Sequence, residues 1–352
     1  MTHRGLRILV TSYYMPSDSK IGVGFQVHEL ANALAARGHD VTLLTPCPPT
    51  PGARYDTRTV PLSGPLRTFR WALALRHVDM SGFDVLHSHG DDYWLWRRRV
   101  PAHVRTMHGS CLSEALRVSG AREKLRMLLL GLGELLATVV ADETVAVSHN
   151  TRRWMPWIRR VIPNGVDLRR FRPGDSKAAD PTVLFVGTFH NRKRGRLLME
   201  VFERQVRPQL PSAQLWMVCS DAPPAPGVRV LGRLGDEELA AAYGSAWVFC
   251  LPSSYEGFGI PYVEAMAAGL PVVATANPGA LEVLRHGTDG VVSDDDDLGS
   301  DLVRLLTDAE LRRHWSGASA LRARDFDLDG VAAAYEELFE DLLQARRPAA
   351  LA

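Results

Sequence analysis

The chain has 352 residues, of which 46% are apolar and 23% charged, a composition typical of a soluble globular protein with about two domains. Its formal net charge is +1, so no overall field attracts nucleic acid, and we expect no nucleic-acid partner. The four cysteines have no paired spacing, which disfavours a disulfide framework or a zinc site and favours a reducing compartment.

The N-terminal residues pass directly into a strand pattern, and we expect no signal peptide. The most apolar stretch, Leu125 to Val140, is shorter than the roughly 20 residues that span a bilayer, and Glu134 interrupts it. We therefore predict a buried core helix there. These features favour a cytoplasmic protein.

The first half of the chain alternates strand and helix patterns. The strand "RILVTSYY" is followed by a helix in which Val27, Leu30 and Leu34 recur at helical spacing, and Gly38 ends that helix before the strand "VTLLT". Further strands are predicted at "DVLHSH", "HVRTMHG" and "ETVAVS". Strands that alternate with helices and are apolar on both faces are typical of a parallel sheet covered on both sides.

The same alternation begins again at "PTVLFVGTFH" and continues through "AQLWMVCS", "VRVLG", "AWVFCLPS", "LPVVAT" and "DGVVSD". The intervening "VIPNGVDLRRFRPGDSKAADP" has the composition of a linker. We predict an α/β fold of two doubly wound, Rossmann-like domains, residues 1–165 and 166–335. Residues 336–352 are predicted to form a C-terminal helix and tail that return to the first domain.

Two glutamates, Glu256 and Glu264, have seven residues between them in "YEGFGIPYVEAMAAG". "AWVFCLPS" is a strand, and the helix that follows has Pro261 near its first position and Gly269 at its end. The loop of residues 256–259 therefore lies at the carboxyl end of a parallel strand, where ligands of open α/β sheets bind.

This loop has the chemistry of a site for a phosphate flanked by hydroxyl groups. Gly257 and Gly259 allow backbone N–H groups to approach a ligand closely, and a helix N-terminus favours phosphate. A carboxylate accepts two hydrogen bonds side by side, which suits a vicinal diol such as that of ribose. The alternative is a helix-terminal charge at Glu256 and a solvated surface glutamate at Glu264.

A basic cluster follows another strand, in "VLFVGTFHNRKRGR". Arg192, Lys193 and Arg194 lie in the loop at that strand's carboxyl end. Facing the glutamate loop, they would neutralise a diphosphate. Alternatively the cluster is only a solvated loop. In either case we expect the Lys193 side chain to be solvated, so that its removal leaves no cavity.

The stretch "EGFGIPYVEAMAAGLPVVAT" resembles the E-x7-E signature of retaining glycosyltransferases of the two-domain GT-B fold, family 4 type. "VIPNGVDLRRFRP", "VLFVGTFHNRKRG", "GALEVLRHGTDGVV" and, in the first half, "IGVGFQVHELANALAARGHDVTLLT" are similar to the same family. The resemblance covers nearly the whole chain and is weaker between Pro46 and Asp79. It implies two domains facing across a cleft, the first on the acceptor side and the second binding the donor.

The resemblance implies roles for the residues of the second half. Glu264 would bind the ribose of a nucleotide-sugar donor, Glu256 the hydroxyls of the transferred sugar, and Lys193 the diphosphate. The backbone amides that would approach the sugar and phosphate are those of Gly257, Phe258 and Gly259.

In the first half, Gly22 and Gly24 match a glycine-rich loop that closes over the phosphates, and His108 matches a position whose imidazole or main chain lies beside the donor sugar. Ile21 replaces the first glycine that is usual in that loop.

The sequence departs from the family's pattern at a second position, where a positive charge is missing. Thr188 stands where the family often has an arginine. Either Arg192 or Arg194 would supply the missing charge, and the sequence leaves that choice open.

The implied reaction moves a sugar from a nucleoside diphosphate to an acceptor hydroxyl with retained anomeric configuration, and requires no metal or other cofactor. Lys193, Glu256 and His108 are the predicted catalytic residues. The other residues predicted to bind the donor are Gly22, Gly24, Arg192, Arg194, Gly257, Phe258, Gly259 and Glu264.

Several alternatives remain open at this stage. A GT-B-fold nucleotide-sugar epimerase would use a similar site without an acceptor, and a non-catalytic sugar-nucleotide-binding protein would use it without turnover. A dinucleotide-dependent oxidoreductase is disfavoured, because "GVGFQV" lacks the third glycine of the fingerprint.

Other residues have more than one interpretation. His87, His89 and His108 could suggest zinc, but their context favours the sugar site. Asp91 and Asp92 could contact an acceptor or form a solvated turn.

The donor nucleotide, the acceptor and the oligomeric state stay open. Peripheral contact with the inner face of a membrane is a further possibility, through Thr151–Arg160 or Arg67–His77, although both stretches also fit a solvated or packed helix face.

Overall fold

The computed structural model describes residues 5–18, 22–96, 101–116, 118 and 120–346. The chain forms two compact units, one of Met1–Gly165 with Leu328–Ala352 and the other of Val166–Asp327. The first division falls where the sequence places it, after residue 165. The second falls at Leu328 rather than after residue 335, because one continuous helix, Leu328–Arg346, packs entirely within the first unit.

The first unit contains a seven-stranded parallel sheet in the order β3-β2-β1-β4-β5-β6-β7. The strands are β1 (Arg7–Thr11), β2 (Asp40–Thr45), β3 (Asp56–Thr59), β4 (Val85–Ser88), β5 (Ala102–Met107), β6 (Glu143–Ala146) and β7 (Arg160–Val161). From β1 the chain builds towards β3 on one side and then returns to β4 on the other. The loops after β1 and β4 therefore border the point where the strand order reverses.

Helices cover this sheet. They are α1 (Gly22–Ala36), α2 (Arg67–Ala74), α3 (Cys111–Ala115), α4 (Ala121–Val140), α5 (His149–Arg152) and the final helix (Leu328–Arg346). Val27, Leu30 and Leu34 of α1 are buried, as their spacing predicts, and they share a core with Tyr335 and Phe339 of the final helix.

The prediction that Leu125 to Val140 forms a buried core helix is wrong. Helix α4 turns small residues inward and leucines outward. A Cβ on Gly131 would lie 2.5 Å from the Leu112 Cδ2 atom, and a Cβ on Gly133 would lie 3.1 Å from the Tyr93 ring, so larger side chains do not fit on the inner face. The inner face also carries Glu134, which accepts a hydrogen bond from the Cys111 backbone N–H at 2.9 Å.

The second unit contains a six-stranded parallel sheet in the order β10-β9-β8-β11-β12-β13. The strands are β8 (Thr182–Val186), β9 (Gln214–Val218), β10 (Val228–Val230), β11 (Val248–Leu251), β12 (Val272–Thr275) and β13 (Val291–Ser293). The chain extends from β8 to β10 on one side and returns to β11 on the other. Loops after β8 and β11 thus meet at a topological switch point, where open α/β sheets bind ligands.

The helices of the second unit are α6 (Gly195–Val201), α7 (Asp236–Ser245), α8 (Ile260–Ala267), α9 (Pro278–Val283), α10 (Leu298–Thr307) and α11 (Ala309–Ala323), so the final helix of the chain is α12. A π-helical turn, Phe202–Val206, extends α6. Strands β8, β11 and β12 are buried on both faces against these helices, whereas the edge strand β10 is largely exposed. The predicted fold class, two doubly wound parallel α/β sheets, is confirmed.

Within the described residues, no helix combines the length and apolar character needed to cross a bilayer.

Candidate functional site

The loops that follow β8 and β11 are joined by hydrogen bonds. The Arg192 carbonyl oxygen accepts from the Ser254 backbone N–H at 2.8 Å and from the Ser253 hydroxyl at 2.9 Å. The Arg192 guanidinium donates in turn to the Tyr255 carbonyl oxygen at 2.8 Å. Because β8 and β11 are neighbours, the basic cluster and the glutamate loop form one surface, as the sequence predicts.

Glu256 is the buried anion of this surface. The residue is 5% exposed, its Oε1 atom lies 2.7 Å from the Lys193 Nζ, and its Oε2 atom lies 2.9 Å from an Arg192 guanidinium nitrogen. Burial alone would raise the pKa of Glu256, but the charges of Lys193 and Arg192 outweigh it and hold the pKa below its usual value. Glu256 is therefore ionised at neutral pH.

The expectation that Lys193 is solvated is wrong. Its side chain is only 14% exposed, because the loop folds it back against Glu256. The expectation came from the charge of the stretch alone, and a lone lysine would have stayed in water. The buried carboxylate supplies the counter-charge that makes burial tolerable.

The structure distinguishes the two arginines beside Lys193. Arg192 contacts Glu256, whereas Arg194 forms an ion pair with Asp295. Thr188 donates its hydroxyl to the His190 carbonyl oxygen at 2.9 Å. Arg192 is thus the arginine that shares the surface with Lys193.

Glu264 lies one turn into α8 and has a different environment. Its Oε2 atom accepts a hydrogen bond from the Tyr243 hydroxyl at 2.8 Å. Burial raises the pKa of Glu264 to about 7, partly offset by the Tyr243 hydrogen bond and by the positive charge of Lys193. The charge of Lys193 therefore acts on both glutamates.

The glycine at the start of α8 is required by its conformation. Gly259 has φ 99°, and a Cβ there would lie 2.4 Å from the Tyr262 ring. Phe258 is a core residue, since its ring packs edge-to-face on Phe326 with centroids 5.7 Å apart. Its side chain therefore does not face the loop surface, and a ligand could contact only its backbone. Gly257 is half-buried in the same loop.

Several residues support the site that sequence reasoning did not identify. Tyr243 reaches Glu264 from α7, and Asn277 donates to the Ser253 carbonyl oxygen at 3.0 Å and to the Tyr262 hydroxyl at 3.1 Å. Ser253 lies only three residues before Glu256, so its closeness to the predicted loop could have been read from the sequence. Tyr243 offered none, because only the tertiary packing of α7 against α8 brings its hydroxyl to Glu264.

The predicted glycines of the first unit differ in what their positions require. A Cβ on Gly24 would lie 2.9 Å from the Met15 Cα atom, so α1 approaches the loop after β1 closely at this point. Gly22 begins α1 and meets nothing within 4 Å. Ile21, the predicted departure from the glycine-rich loop, lies outside the described residues. A contact of either glycine with phosphates stays a prediction.

His108 follows β5, is half-buried and lies against the buried imidazole of His89. Its Nε2 atom lies 2.9 Å from Nδ1 of His89, and the two rings stack with centroids 5.2 Å apart. Burial lowers the pKa of His108 to about 4, partly offset by a hydrogen bond with Asn164. Both side chains line a small pocket of the first unit, together with Tyr335 of α12.

The same histidine group extends to His87, whose Nε2 atom lies 2.8 Å from the Thr106 hydroxyl. That hydroxyl lies 2.8 Å from the hydroxyl of Tyr335. The part of the chain that the structure describes holds no group of three or more His, Cys, Asp or Glu side chains placed to share a metal ion.

Asp92 is not part of a solvated turn. It is fully buried, lies 2.9 Å from the His103 Nε2 atom and forms an ion pair with Arg105. Asp91 is half-buried, and burial raises its pKa to about 7, partly offset by the charge of Arg105. A role for Asp91 towards an acceptor stays a prediction.

Two doubly wound parallel units of this kind are the architecture of GT-B glycosyltransferases. The chain is similar to solved structures of that class over nearly its whole length. It superimposes on a sucrose-phosphate synthase from Thermosynechococcus elongatus with a TM-score of 0.77 at 22% identity, covering 97% of this chain and 100% of the other. For HepE of Anabaena, solved with UDP and glucose, the TM-score is 0.73 at 16% identity, covering 95% and 99%.

The chain belongs to the family 4 glycosyltransferases. Residues 21–170 match the model of Glycosyltransferase Family 4, and residues 180–308 that of Glycosyl transferases group 1. It is 30% identical to the phosphatidyl-myo-inositol mannosyltransferase of Mycobacterium leprae over 91% of this chain and 92% of that one. It is 32% identical to the D-inositol 3-phosphate glycosyltransferase of Geodermatophilus obscurus over 76% and 69%. The protein is therefore an enzyme of the glycosyltransferase class.

Proposed function

We propose that this glycosyltransferase moves a sugar from a nucleoside-diphosphate sugar to an acceptor hydroxyl with retention of anomeric configuration. The observation that carries the proposal is the Lys193–Glu256 ion pair at the switch point of the second sheet, with Glu264 within range of the same ammonium group. A largely buried cation that is paired with one carboxylate and whose charge also acts on a second suits a ligand that is anionic at its centre and carries hydroxyls.

When the donor binds, its diphosphate would take over contacts that Lys193 and Arg192 now make with Glu256. A diphosphate at Lys193 and Arg192 replaces part of the attraction that these cations now give Glu256. Glu256 then has lone pairs for the hydroxyls of the sugar. Glu264 has one oxygen engaged by Tyr243 and accepts hydrogen bonds from ribose hydroxyls with the rest of its carboxylate.

In the reaction, the bond between the anomeric carbon and the diphosphate oxygen breaks, and its electron pair goes to the leaving phosphate. Lys193 and Arg192 stabilise the negative charge that develops there. The acceptor oxygen forms the new bond on the same face of the sugar and gives its proton to the leaving phosphate oxygen. These steps need no protein nucleophile and no metal. A role for His108 beside the transferred sugar remains part of the proposal.

The names of the relatives provide a starting set of substrates. They are a phosphatidyl-myo-inositol mannosyltransferase, a D-inositol 3-phosphate glycosyltransferase and a GDP-mannose:cellobiosyl-diphosphopolyprenol alpha-mannosyltransferase. We therefore include GDP-mannose among the donors to be tested, and inositol-containing and lipid-linked alcohols among the acceptors.

A thermal-shift panel of UDP, GDP, ADP and their sugars tests donor binding. A ligand at 100 times its Kd stabilises the folded protein by about 2.7 kcal/mol, a readily measured shift. We expect one nucleotide series to shift the melting temperature of the wild type and of Arg194→Ala, but not of Lys193→Ala. Arg194 is the matched control because it pairs with Asp295 instead of Glu256.

Three outcomes would count against the proposal. If no nucleoside diphosphate and none of its sugars shifts the melting temperature, the donor assignment fails. If a nucleotide sugar binds and is converted only to its epimer, with no glycoside formed, the protein is an epimerase on the same fold. Binding without any turnover across the acceptor set would favour a non-catalytic binding protein.

A further inference from the structure

Helix α4 exposes a continuous apolar face. Three of its side chains illustrate the exposure: Leu125 is 58% exposed, Leu132 59% and Val139 79%. The full set of exposed large apolar residues on the helix is Leu125, Leu128, Leu129, Leu132, Leu136 and Val139. Their spacing of three and four residues places all six on one side of the helix.

This face is opposite the side that attaches the helix to the first unit. Met127, Gly131 and Ala137 are the buried residues of α4. The close approach of Gly131 to Leu112 and of Gly133 to Tyr93 leaves no room for the helix to turn its leucines inward. The apolar face is thus a stable surface feature. Concentrations of exposed apolar area of this kind mark interaction sites.

Exposed tryptophans lie beside α4. Trp157 donates its indole N–H to the Thr138 hydroxyl at 3.1 Å, and it is itself exposed. Trp94 and Trp96 are exposed around the turn Tyr93–Leu95, which packs on α4. Tryptophan, with an apolar ring and one polar N–H, is the side chain most typical of the boundary between water and lipid.

The charge of this surface favours an anionic occupant. Arg122 and Lys124 are exposed on the first turn of α4, and neither forms an ion pair with any acidic residue in the ranges that the structure describes. Glu123 on the same turn is already paired with Arg126, their nearest atoms 2.8 Å apart. A second copy of α4 would therefore bring no free carboxylate to Arg122 and Lys124, whereas acidic phospholipids would.

We propose that the outer face of α4 docks on the surface of an anionic phospholipid membrane. The helix lies in the plane of the surface, with its leucines and the flanking tryptophans at the level of the upper acyl chains and with Arg122 and Lys124 among the headgroup phosphates. The two stretches for which the sequence left membrane contact open contribute less. Thr151–Arg160 adds Trp157, and Arg67–His77 buries Trp71 and Leu75 in the core.

Co-sedimentation with lipid vesicles tests this proposal independently of sugar transfer. The vesicles are phosphatidylcholine alone, or phosphatidylcholine with 30 mol % phosphatidylglycerol, in physiological salt. The wild type is expected to bind the anionic vesicles much more tightly than the neutral ones. The triple variant Leu125→Gln/Leu129→Gln/Leu132→Gln is expected to bind about 100-fold more weakly, because three side chains no longer leave water.

Two further variants separate the effect of the face from general effects of substitution. Leu321→Gln removes a leucine that is 63% exposed on the second unit and should leave binding unchanged. Arg122→Gln/Lys124→Gln should weaken binding about 20-fold, and the effect should fall at high salt. The charge-matched control Arg204→Gln/Arg313→Gln, also on the second unit, should not change it. Unchanged melting temperatures establish that each variant is folded.

The proposal is overturned if the wild type does not bind anionic vesicles, if it binds neutral vesicles equally well, or if the triple leucine variant binds like the wild type. Size-exclusion chromatography with light scattering measures the oligomeric state and so tests whether a second copy of the chain covers this face instead. A wild-type dimer that the triple variant converts to a monomer would show that a second copy, and not lipid, covers this face.

Discussion

The Lys193 ammonium group lies 2.7 Å from a carboxylate oxygen of Glu256, and both side chains are largely withdrawn from water. Each group is the counter-charge that makes burial of the other tolerable. The pair therefore has two roles in our account: it stabilises the loops after β8 and β11, and it holds a cation where a diphosphate would bind. These roles can be separated by mutation.

Lys193→Ala is expected to lower both turnover and stability. Loss of a preorganised charge beside the leaving phosphate should cost about 10² in kcat. Glu256 would keep only Arg192 as a counter-charge, so the melting temperature should fall as well. In the double variant Lys193→Ala/Glu256→Gln, the melting temperature should recover while turnover stays low. Full activity in Lys193→Ala would refute the diphosphate assignment.

The two glutamates should differ when each is changed to glutamine. Glu264→Gln should weaken the binding of free nucleoside diphosphate, because the contact is with ribose. Glu256→Gln should leave nucleotide affinity nearly intact and lower kcat, since only the sugar acquires positive character in the transition state. Isothermal titration with nucleotide and steady-state transfer assays measure the two effects. Equal losses of nucleotide affinity would mean that the two roles are wrongly assigned.

Nucleotide binding should depend on pH through Glu264. Burial raises its pKa to about 7, and hydrogen bonds from ribose hydroxyls favour the carboxylate form. If only that form binds well, affinity should increase about tenfold between pH 6 and pH 8. The phosphate of the ligand also titrates near pH 6, so the same titration with Glu264→Gln serves as the control. An identical pH profile in the two proteins would contradict the ribose assignment.

Acid should destabilise the first unit. Burial lowers the pKa of His87 to about 3 and of His108 to about 4, so the unfolded chain binds more protons than the folded one between about pH 6.5 and pH 4. Stability must therefore fall as pH falls through that window, by about 2 kcal/mol for each histidine at pH 5.

Melting curves between pH 7 and pH 5 check this prediction. His87→Gln should reduce the pH dependence, even if it lowers stability at neutral pH by removing the contact with Thr106. The exposed His314→Gln is the control and should melt like the wild type at every pH. A wild type as stable at pH 5 as at pH 7 would show that these imidazoles are not held neutral.

Much of the fold and part of the site could be predicted from local patterns. The apolar runs of strand length, the glycine that ends a helix and the helical spacing of apolar residues together predicted both sheets. The rule that ligands bind at the carboxyl ends of parallel strands predicted that Lys193 and Glu256 lie on one surface. Features that depend on tertiary packing could not be predicted. Tyr243 reaches Glu264 from another helix, and α4 faces its leucines outward because Gly131 and Gly133 fit against Leu112 and Tyr93.

The anomeric configuration of the first product tests the central claim most directly. The donor identified by thermal shift is incubated with an acceptor alcohol, and proton NMR follows the anomeric signals from the start of turnover, before any mutarotation of free sugar. Our account predicts a glycoside with the same anomeric configuration as the donor, formed together with one equivalent of nucleoside diphosphate. An inverted glycoside, or an epimerised nucleotide sugar without glycoside, would contradict it.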